Sequence, residues 1–365
     1  MKQKDIMLGI VGFGGMGNWH REIIDTIDGI KVAGIYDIDE SRNDFARTSQ
    51  MKVYESLEAL LSDECIDVVL IATPNDLHKP IAIQAMKAGK HVVSEKPVTL
   101  SSADLKEMIQ ASEETGMLLT VHQNRRWDED FLTMKQIYDQ QLLGDIYRIE
   151  SRVHGSRGIP GDWRQEKEHG GGMVLDWGVH LLDQILLIMG DTKLNTVYAT
   201  VTNITNQMVD DGFTAHLGFE NGVEVLVEVG TSNFITLPRW YMIGQNGTAI
   251  IEDWQLNGRI VRASGMDEKD VVPVRTAAGL TKTMAPRRDD TITTEELSIV
   301  RSDIRDYYKN IIKVIKKEEE PKVKLPEVMR VMRLMEAIFE SSSRHEAVHF
   351  EAYPNSRCFG RMEIL

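Results

Sequence analysis

The chain contains little cysteine, and this excludes two kinds of protein. Only Cys65 and Cys358 occur among 365 residues, too few for a disulfide framework. Neither cysteine has metal-ligand spacing, and no His-Glu-x-x-His motif is present. The sequence therefore predicts a protein of a reducing compartment with no metal site.

Basic residues are scarce relative to acidic ones. Lysine and arginine number 42 against 56 aspartates and glutamates, which gives a net charge of −14. Such a surface repels phosphate backbones and anionic membranes. The start, Met-Lys-Gln-Lys-Asp, leads into a short apolar run that breaks at Gly12, which fits neither a signal peptide nor a membrane span. We therefore expect a cytoplasmic protein that binds neither nucleic acid nor membranes.

The length indicates more than one domain. A typical domain has about 100 to 200 residues, so 365 residues favour two domains that share an interface. Hydrophobic residues make up 42% and charged residues 27%, which is ordinary globular usage.

The first third of the chain alternates short apolar runs with helical patterns, as in βαβ units that form a parallel sheet. A capping box at Ser101-Ser102-Ala103-Asp104 predicts a helix that runs to Thr115 and ends at Gly116. The predicted strands are Ile6–Val11, Lys31–Tyr36, Val68–Ala72, His91–Ser94 and Met117–His122.

Beyond residue 190 the hydrophobic pattern changes to alternation of apolar and polar residues, as in 223–229. Hairpin turns are expected at Asn221-Gly222 and Asn246-Gly247, so residues 190–262 are predicted to form an antiparallel meander with one solvated face. The polar, aperiodic segment 264–296 is interpreted as a substrate lid. Residues 327–343 are predicted to form a helix with Val328, Met332, Met335 and Phe339 on its buried face.

A glycine-rich motif follows the first predicted strand. Residues 12–17, Gly-Phe-Gly-Gly-Met-Gly, match Gly-x-Gly-x-x-Gly at the mouth of a helix, where backbone N–H groups can hold a pyrophosphate. Asp37 lies 20 residues beyond Gly17, where a carboxylate can accept hydrogen bonds from the adenosine ribose. The nearest arginine is Arg42, and the charge of Asp37 would repel a 2′-phosphate, so the motif predicts NAD rather than NADP.

Two further segments follow predicted parallel strands, at the edge of the sheet where ligands bind. One begins at Thr73, and the other contains Glu95 and Lys96. From its position alone, Lys96 is either a functional ammonium group in this crevice or an ordinary solvated lysine.

A third motif joins three glycines, 170–172, to a helix with Asp176 and His180. Four residues apart, these side chains share one helix face, and a carboxylate beside an imidazole raises its basicity. The pair is either a general base for removing a proton from an alcohol or a surface i,i+4 pair. Absence of a Gly-x-Ser-x-Gly elbow leaves nucleophilic hydrolysis unsupported.

In order and spacing, these motifs resemble the glucose-fructose oxidoreductase, inositol dehydrogenase and MocA family. The resemblance also rests on Glu95-Lys96-Pro97, on residues 124–127 and on the Asp-x-Gly-x-His pattern that ends at His180. The resemblance covers nearly the whole chain. It implies an α/β fold: a doubly wound Rossmann domain at 1–123, then an α+β domain at 124–365 with a large, mostly antiparallel open sheet. The C-terminal helix is expected to pack back toward the first domain.

The resemblance also implies roles for individual residues. His180 takes the substrate hydroxyl proton, Asp176 orients it, and Lys96 hydrogen-bonds the reacting oxygen. Substrate contacts are implied for Lys96, Arg126, His154, Trp163, Asp176 and His180. Cofactor contacts are implied for Gly12, Phe13, Gly14, Gly15, Met16, Gly17, Asp37, Thr73, Pro74, Asn75, His78, Glu95, Lys96 and Arg164.

The expected activity is NAD-dependent oxidation of a secondary ring hydroxyl of a sugar, inositol or glycoside, including the C3 hydroxyl of a glucoside, by a homo-oligomer. Two alternatives stay open: a redox-neutral glycosidase with tightly bound NAD, and a non-catalytic NAD-binding regulator.

Overall fold

The computed structural model describes residues 4–265 and 271–351. Cys358 and part of the segment interpreted as a lid lie outside these residues. Residues 4–123 form a parallel five-stranded sheet in the order β2-β1-β3-β4-β5, with helices between its strands. Its elements are β1 Ile6–Val11, α1 Gly15–Ile24, β2 Ile30–Tyr36, α2 Glu40–Thr48, α3 Leu57–Leu61, β3 Val68–Ile71, α4 His78–Lys87, β4 His91–Ser94, α5 Ser102–Thr115 and β5 Leu119–Val121.

Local sequence signals account for this domain. The central strand β3 is fully buried because helices cover both faces of the sheet. The Ser101 side chain accepts a hydrogen bond from the Asp104 N–H at 3.1 Å, and Gly116 ends α5 with a φ of +68°, so the predicted caps are confirmed. The strand order reverses between β1 and β3, and ligands bind at the carboxyl ends of the strands at such a point.

The rest of the chain builds a nine-stranded, mostly antiparallel sheet with helices against it, in the order β15-β12-β11-β10-β6-β9-β8-β7-β16. Together the two sheets confirm the predicted fold class. The elements are α6 Glu129–Asp139, β6 Ile146–His154, α7 Val179–Met189, β7 Leu194–Thr202, β8 Gly212–Phe219, β9 Glu224–Gly230, β10 Trp240–Gly244, β11 Gly247–Ile251, β12 Gly258–Ala263, β13 Val274–Thr276, β14 Gly279–Thr281, β15 Ile292–Glu296, α8 Arg305–Ile315, α9 Leu325–Arg344 and β16 Val348–His349.

The predicted meander is wrong at its centre. Both hairpin turns form, but β9 and β10 are not neighbours, because β6 inserts between them. β6 pairs in parallel with β9 and antiparallel with β10. Hydrophobic alternation identifies strands but carries no information on which remote strand becomes the partner.

The segment 264–296 is not one continuous loop. Its last residues form β15, which pairs with β12 at the edge of the sheet, and β13 and β14 form a separate hairpin. β15 has the sequence Ile-Thr-Thr-Glu-Glu and is mostly exposed, a short and charged strand of the kind that protects a sheet edge.

The C-terminal helices contact the first domain. The Ser102 N–H and hydroxyl donate hydrogen bonds to the two carboxylate oxygens of Glu336 in α9, at 2.6 and 2.8 Å. Val328, Met332 and Met335 are buried as predicted, whereas Phe339 is 37% exposed. The division at residue 123 stays a prediction.

One helical stretch, Lys167–Met189, is long and apolar enough to cross a membrane. However, 83% of its most apolar window is buried inside the protein. Its apolar side chains therefore pack in the core beneath the large sheet, which explains their number without a membrane.

Candidate active site

The turn after β1 requires glycine at two positions. Gly12 has a φ of +88°, and a Cβ there would lie 2.6 Å from the carbonyl oxygen of Ala72. A Cβ on Gly17 would lie 2.2 Å from the carbonyl oxygen of Gly12. These close approaches bring the N-terminus of α1, at Gly15, against the carboxyl ends of β1 and β3.

Asp37 follows β2 and anchors this turn. Its Oδ2 accepts a hydrogen bond from the Phe13 N–H at 2.6 Å, and its Oδ1 accepts one from the Asp39 N–H at 2.8 Å. The Arg42 guanidinium also donates to Oδ2, at 3.2 Å. The carboxylate is buried, and Arg42 places a positive charge beside it.

The carboxyl ends of the parallel strands open into a cleft of about 460 Å³. One end holds the glycine turn and Arg42, and the other holds Lys96 and Asp176. The lining residues are Gly14, Gly15, Met16, Arg42, Ala72, Thr73, Pro74, Asn75, Glu95, Lys96, Asp162, Trp163, Arg164 and Asp176.

Lys96 joins the two domains in this cleft. Its Nζ donates to Asp176 Oδ1 at 2.9 Å and to the Asp176 carbonyl oxygen at 3.0 Å. Arg164 approaches the other carboxylate oxygen of Asp176 at 3.4 Å. Burial alone would raise the pKa of Asp176, but the charges of Lys96 and Arg164 outweigh it and lower that pKa. Asp176 is therefore an ionised group that holds a cation in place.

The predicted partnership of Asp176 with His180 is wrong in its geometry. Residues Val174–Gly178 form a π-helix, whose wider turn changes which side chains face each other. Among the described residues, the carboxylate of Asp176 bonds to Lys96 and Arg164, and His180 Nδ1 is buried without a hydrogen-bond partner. Burial, followed by the charges of Lys96 and Arg125, lowers the pKa of His180 well below its ordinary value. The charge of Glu95 raises this pKa but is outweighed, so the imidazole is neutral at pH 7.

The glycines before this helix let it approach the cleft. The Asn75 side chain donates to the carbonyl oxygen of Gly170 at 3.0 Å, which links the first domain to the glycine segment. Gly172 has a φ of +103°, and a Cβ there would lie 2.2 Å from Asp210 Oδ1. Asp210 in turn accepts the Val174 N–H at 2.8 Å, so it holds the start of the π-helix.

Eight predicted contact residues are not part of the cleft lining: Gly12, Phe13, Gly17, Asp37, His78, Arg126, His154 and His180. His78 is buried, with its two ring nitrogens against the carbonyl oxygens of Pro97 and Thr73 at 2.9 and 3.0 Å. Arg126 forms a buried ion pair with Asp183 at 2.7 Å. His154 lies on the large sheet, 3.4 Å from Glu228. The roles that the resemblance implies for them stay predictions, and the described residues of 264–296 also do not line the cleft.

Sequence reasoning gave no role to two features beside the cleft. Arg42 lies five residues after Asp37, and one helical turn of α2 suffices to bring its guanidinium back to that carboxylate. His20 and His122 both contact Glu95, at 2.7 and 2.8 Å. Because these three residues come from separate elements, no local spacing indicates the cluster.

The described residues fit a dinucleotide. Gly14 and Gly15 line the cleft without side chains at the N-terminus of a ten-residue helix, which favours a pyrophosphate. Arg42, which pairs with Asp37, lines the cleft near the glycine turn, and the opposite end holds Lys96 and Asp176. Fold and site together define a protein with a Rossmann-type dinucleotide-binding domain and a polar cleft at the ends of its strands.

Comparison with known families gives a narrower identification. Residues 6–123 match the family model described as "Oxidoreductase family, NAD-binding Rossmann fold", and residues 131–250 match the model of the GFO/IDH/MocA C-terminal domain. The chain belongs to the GFO/IDH/MocA oxidoreductase family.

Individual relatives cover most of the chain. The scyllo-inositol 2-dehydrogenase (NADP(+)) IolW of Bacillus subtilis is 28% identical over 357 residues, 96% of this chain and 97% of its own. The 2,7-anhydro-N-acetylneuraminate hydratase of Escherichia coli is 28% identical over 280 residues, 73% of each chain. The crystal structure of an NAD-binding protein from Listeria innocua is 46% identical, with a TM-score of 0.92, over 95% of this chain and 100% of that one.

Proposed function

We propose that this protein is an NAD-dependent dehydrogenase that oxidises a secondary ring hydroxyl of an inositol, sugar or glycoside in the cytoplasm. The observation that carries the proposal is the half-buried Lys96–Asp176 pair at the end of a cleft that suits a dinucleotide. Its support is the family membership, together with a relative that is named an inositol dehydrogenase.

The proposed mechanism assigns one task to each residue. Lys96 donates a hydrogen bond to the reacting oxygen and stabilises the negative charge that grows on it. Asp176 holds the ammonium group in position, rather than charging His180. His180 takes the hydroxyl proton on its neutral imidazole. Gly14 and Gly15 at the start of α1 would hold the pyrophosphate of a nicotinamide cofactor, which would supply the hydride acceptor when bound.

The test is an assay of the purified protein with NAD and a panel of inositols, free sugars and O- and C-glucosides. NADH is followed by its absorbance, and products are identified by mass spectrometry. We expect NADH and loss of two hydrogens from one substrate class. Lack of product with every substrate, although NAD binds, would favour the regulator and contradict the proposal.

A second candidate is redox-neutral chemistry with tightly held NAD. It is favoured by the relative that is named a hydratase, because addition or removal of water involves no net oxidation. Conversion of a substrate without release of NADH would support this candidate over the first.

The cofactor choice depends on Asp37. The negative charge of this buried carboxylate would repel a 2′-phosphate, which favours NAD. Arg42 beside it carries a positive charge that would attract a 2′-phosphate. That would suit NADP, the cofactor in the name of the Bacillus relative. We expect Asp37→Ser to lower the ratio of kcat/KM for NAD to that for NADP by about 100-fold. The double variant with Arg42→Ala, measured in the same assay, should lose the gain for NADP. An unchanged ratio in the single variant would show that Asp37 does not select the cofactor.

The acid limb of the pH profile tests His180. A base works only when deprotonated, so a lowered pKa keeps it active to lower pH. We expect kcat/KM to stay constant from about pH 8 to about pH 6, whereas an ordinary imidazole is half protonated at about pH 6.5. The His180→Asn variant should be nearly inactive, and an acid limb at pH 6.5 in the wild type would contradict the assignment.

A further inference from the structure

A buried cluster of His20, Glu95 and His122 lies behind the reaction end of the cleft, and the proposed mechanism does not use it. His20 Nε2 lies 2.7 Å and His122 Nδ1 lies 2.8 Å from Glu95 Oε1. The Lys96 N–H donates to the other carboxylate oxygen of Glu95, at 3.0 Å. On the far side, the Tyr308 hydroxyl lies 2.5 Å from His20 Nδ1. The carboxylate of Glu95, which follows β4, therefore contacts one ring from α1 and one ring that follows β5, and Tyr308 of α8 contacts the first of these rings.

The contacts assign the protons of this cluster. His20 donates its Nε2–H to Glu95 and accepts the Tyr308 hydroxyl proton at Nδ1, so both nitrogens are paired with His20 neutral. Burial, as the largest cause, lowers the pKa of His20 to about 4, which agrees with a neutral ring. Burial alone would raise the pKa of Glu95, but His122 and His20 hold it well below its ordinary value. Glu95 is therefore an ionised carboxylate held by N–H donors.

A metal ion fits the same three residues less well. Their ligand atoms lie within 4.8 Å of one another, and two histidines with a carboxylate are a zinc donor set. Two ligand atoms at zinc-bond length in a tetrahedral site lie about 3.3 Å apart, however. The nitrogen–oxygen distances of 2.7 and 2.8 Å are hydrogen-bond lengths.

Among the described residues, Glu95 has no lysine or arginine within ion-pair distance, and its ionic contacts are with the rings of His20 and His122. Lys96 pairs with Asp176, and Arg164 pairs with Asp162 at 2.7 Å. Neutral His20 and the Lys96 backbone N–H bring Glu95 hydrogen bonds without a positive charge. His122 contacts Glu95 through Nδ1, and its Nε2 is buried without a hydrogen-bond partner among the described residues, so a second proton on this ring would have no acceptor. The carboxylate is 5% exposed and lines the cleft.

The position of Glu95 along the cleft determines which part of a bound dinucleotide lies next to its charge. Gly14, Gly15 and Arg42 occupy the end that suits the pyrophosphate and adenosine ribose, and Glu95 lies beside Lys96 at the other end. In the proposed function that end receives the nicotinamide ring. The ring carries a positive charge when oxidised and none when reduced.

We propose that His20 and His122 hold Glu95 as a permanent negative charge beside the nicotinamide ring, so that the site favours NAD+ over NADH. This inference rests on the proposed function, because it takes the cleft as an NAD site. The consequence for turnover is that NADH, once formed, is held less tightly than NAD+ and leaves sooner. His20 and His122 act through Glu95 and are positioning residues.

The test measures binding without turnover, by titrating NAD+ and NADH separately into the wild type and Glu95→Gln in a calorimeter. The substitution removes the charge and keeps the shape. We expect the Kd for NAD+ to rise about tenfold, or ~1.4 kcal/mol, and the Kd for NADH to change less than about threefold. Equal changes in both, or none, would overturn the inference and leave the proposed function intact.

A second variant guards against misfolding of the first. His122→Phe keeps a ring against Trp19 and Tyr307 but removes one donor to Glu95, so the pKa of that carboxyl should rise. Protonation would then cancel the charge as pH falls. We expect the preference for NAD+ to weaken from pH 8 to pH 6 in this variant and to stay constant in the wild type. Tyr307→Phe is the matched control, because its ring packs on His122 while its hydroxyl makes no bond to the cluster.

Three other outcomes count against the inference. A stoichiometric metal in the purified wild type, measured by elemental analysis, would replace the hydrogen-bonded cluster by a metal site. Failure of the wild type to bind either NAD+ or NADH would overturn the proposed cofactor and this inference together. A pH-independent preference for NAD+ in His122→Phe would show that Glu95 stays ionised without that donor.

Discussion

Replacing Lys96 by methionine is expected to lower kcat by about 10³-fold while the affinity for NAD changes less than about threefold. Methionine keeps the length of the side chain but cannot donate to the reacting oxygen. Arg164 remains beside Asp176, so the ionised carboxylate keeps one cation within 3.4 Å. Steady-state turnover with the substrate found in the panel and calorimetric titration of NAD measure the two quantities.

Lys79→Met is the matched control for Lys96. Lys79 lies in the same domain, where it pairs with Asp104 and Glu107 at 2.7 and 2.6 Å on the surface. We expect its turnover to equal that of the wild type. If Lys96→Met retained a tenth or more of the turnover, the ammonium group would not contact the reacting oxygen as proposed.

The second large effect is expected at Gly17. Gly17→Ala places a methyl group 2.2 Å from the carbonyl oxygen of Gly12, and neither backbone can yield without opening the turn that seats the pyrophosphate. We expect the free energy of unfolding to fall by about 2 kcal/mol and the Kd for NAD to rise at least about 100-fold. Chemical denaturation and calorimetric titration check the two effects.

Gly15→Ala serves as the control for stability. It adds the same methyl group two residues earlier, where no atom lies within 4 Å. Its free energy of unfolding should stay within about 0.5 kcal/mol of the wild type. Wild-type affinity of Gly17→Ala for NAD would mean that the pyrophosphate does not lie on this turn.

The first domain was predictable because its signals are local. β1 and β4 begin and end at the predicted residues, since short β-branched runs between turn residues can only be buried strands in a βαβ pattern. The cap at Ser101 and the glycine turn at residues 12–17 depend on groups within a few residues of one another. Asp37 could be named from its spacing to Gly17 alone. The structure adds that its carboxylate accepts a hydrogen bond from the Phe13 N–H.

The candidate site was only partly predictable. Lys96 and Asp176 could be named from motifs, but the bond between them joins residues 80 positions apart across two domains. Helical spacing suggested that Asp176 faces His180, and the π-helix removed that contact. Buried polar groups must find partners wherever the packing provides them, and local periodicity does not show which partner is near.

By itself, the sequence determined the parallel sheet, its glycine turn, the acidic residue after β2 and the alternating strands of a second domain. All of these follow from patterns within short stretches of the chain. Only the tertiary structure decided that β6 enters the sheet between β9 and β10, that Asp176 holds Lys96, and that Glu95 lies between two histidines. The physical reason is that strand pairing and buried hydrogen bonds are chosen by three-dimensional proximity, which sequence distance does not encode.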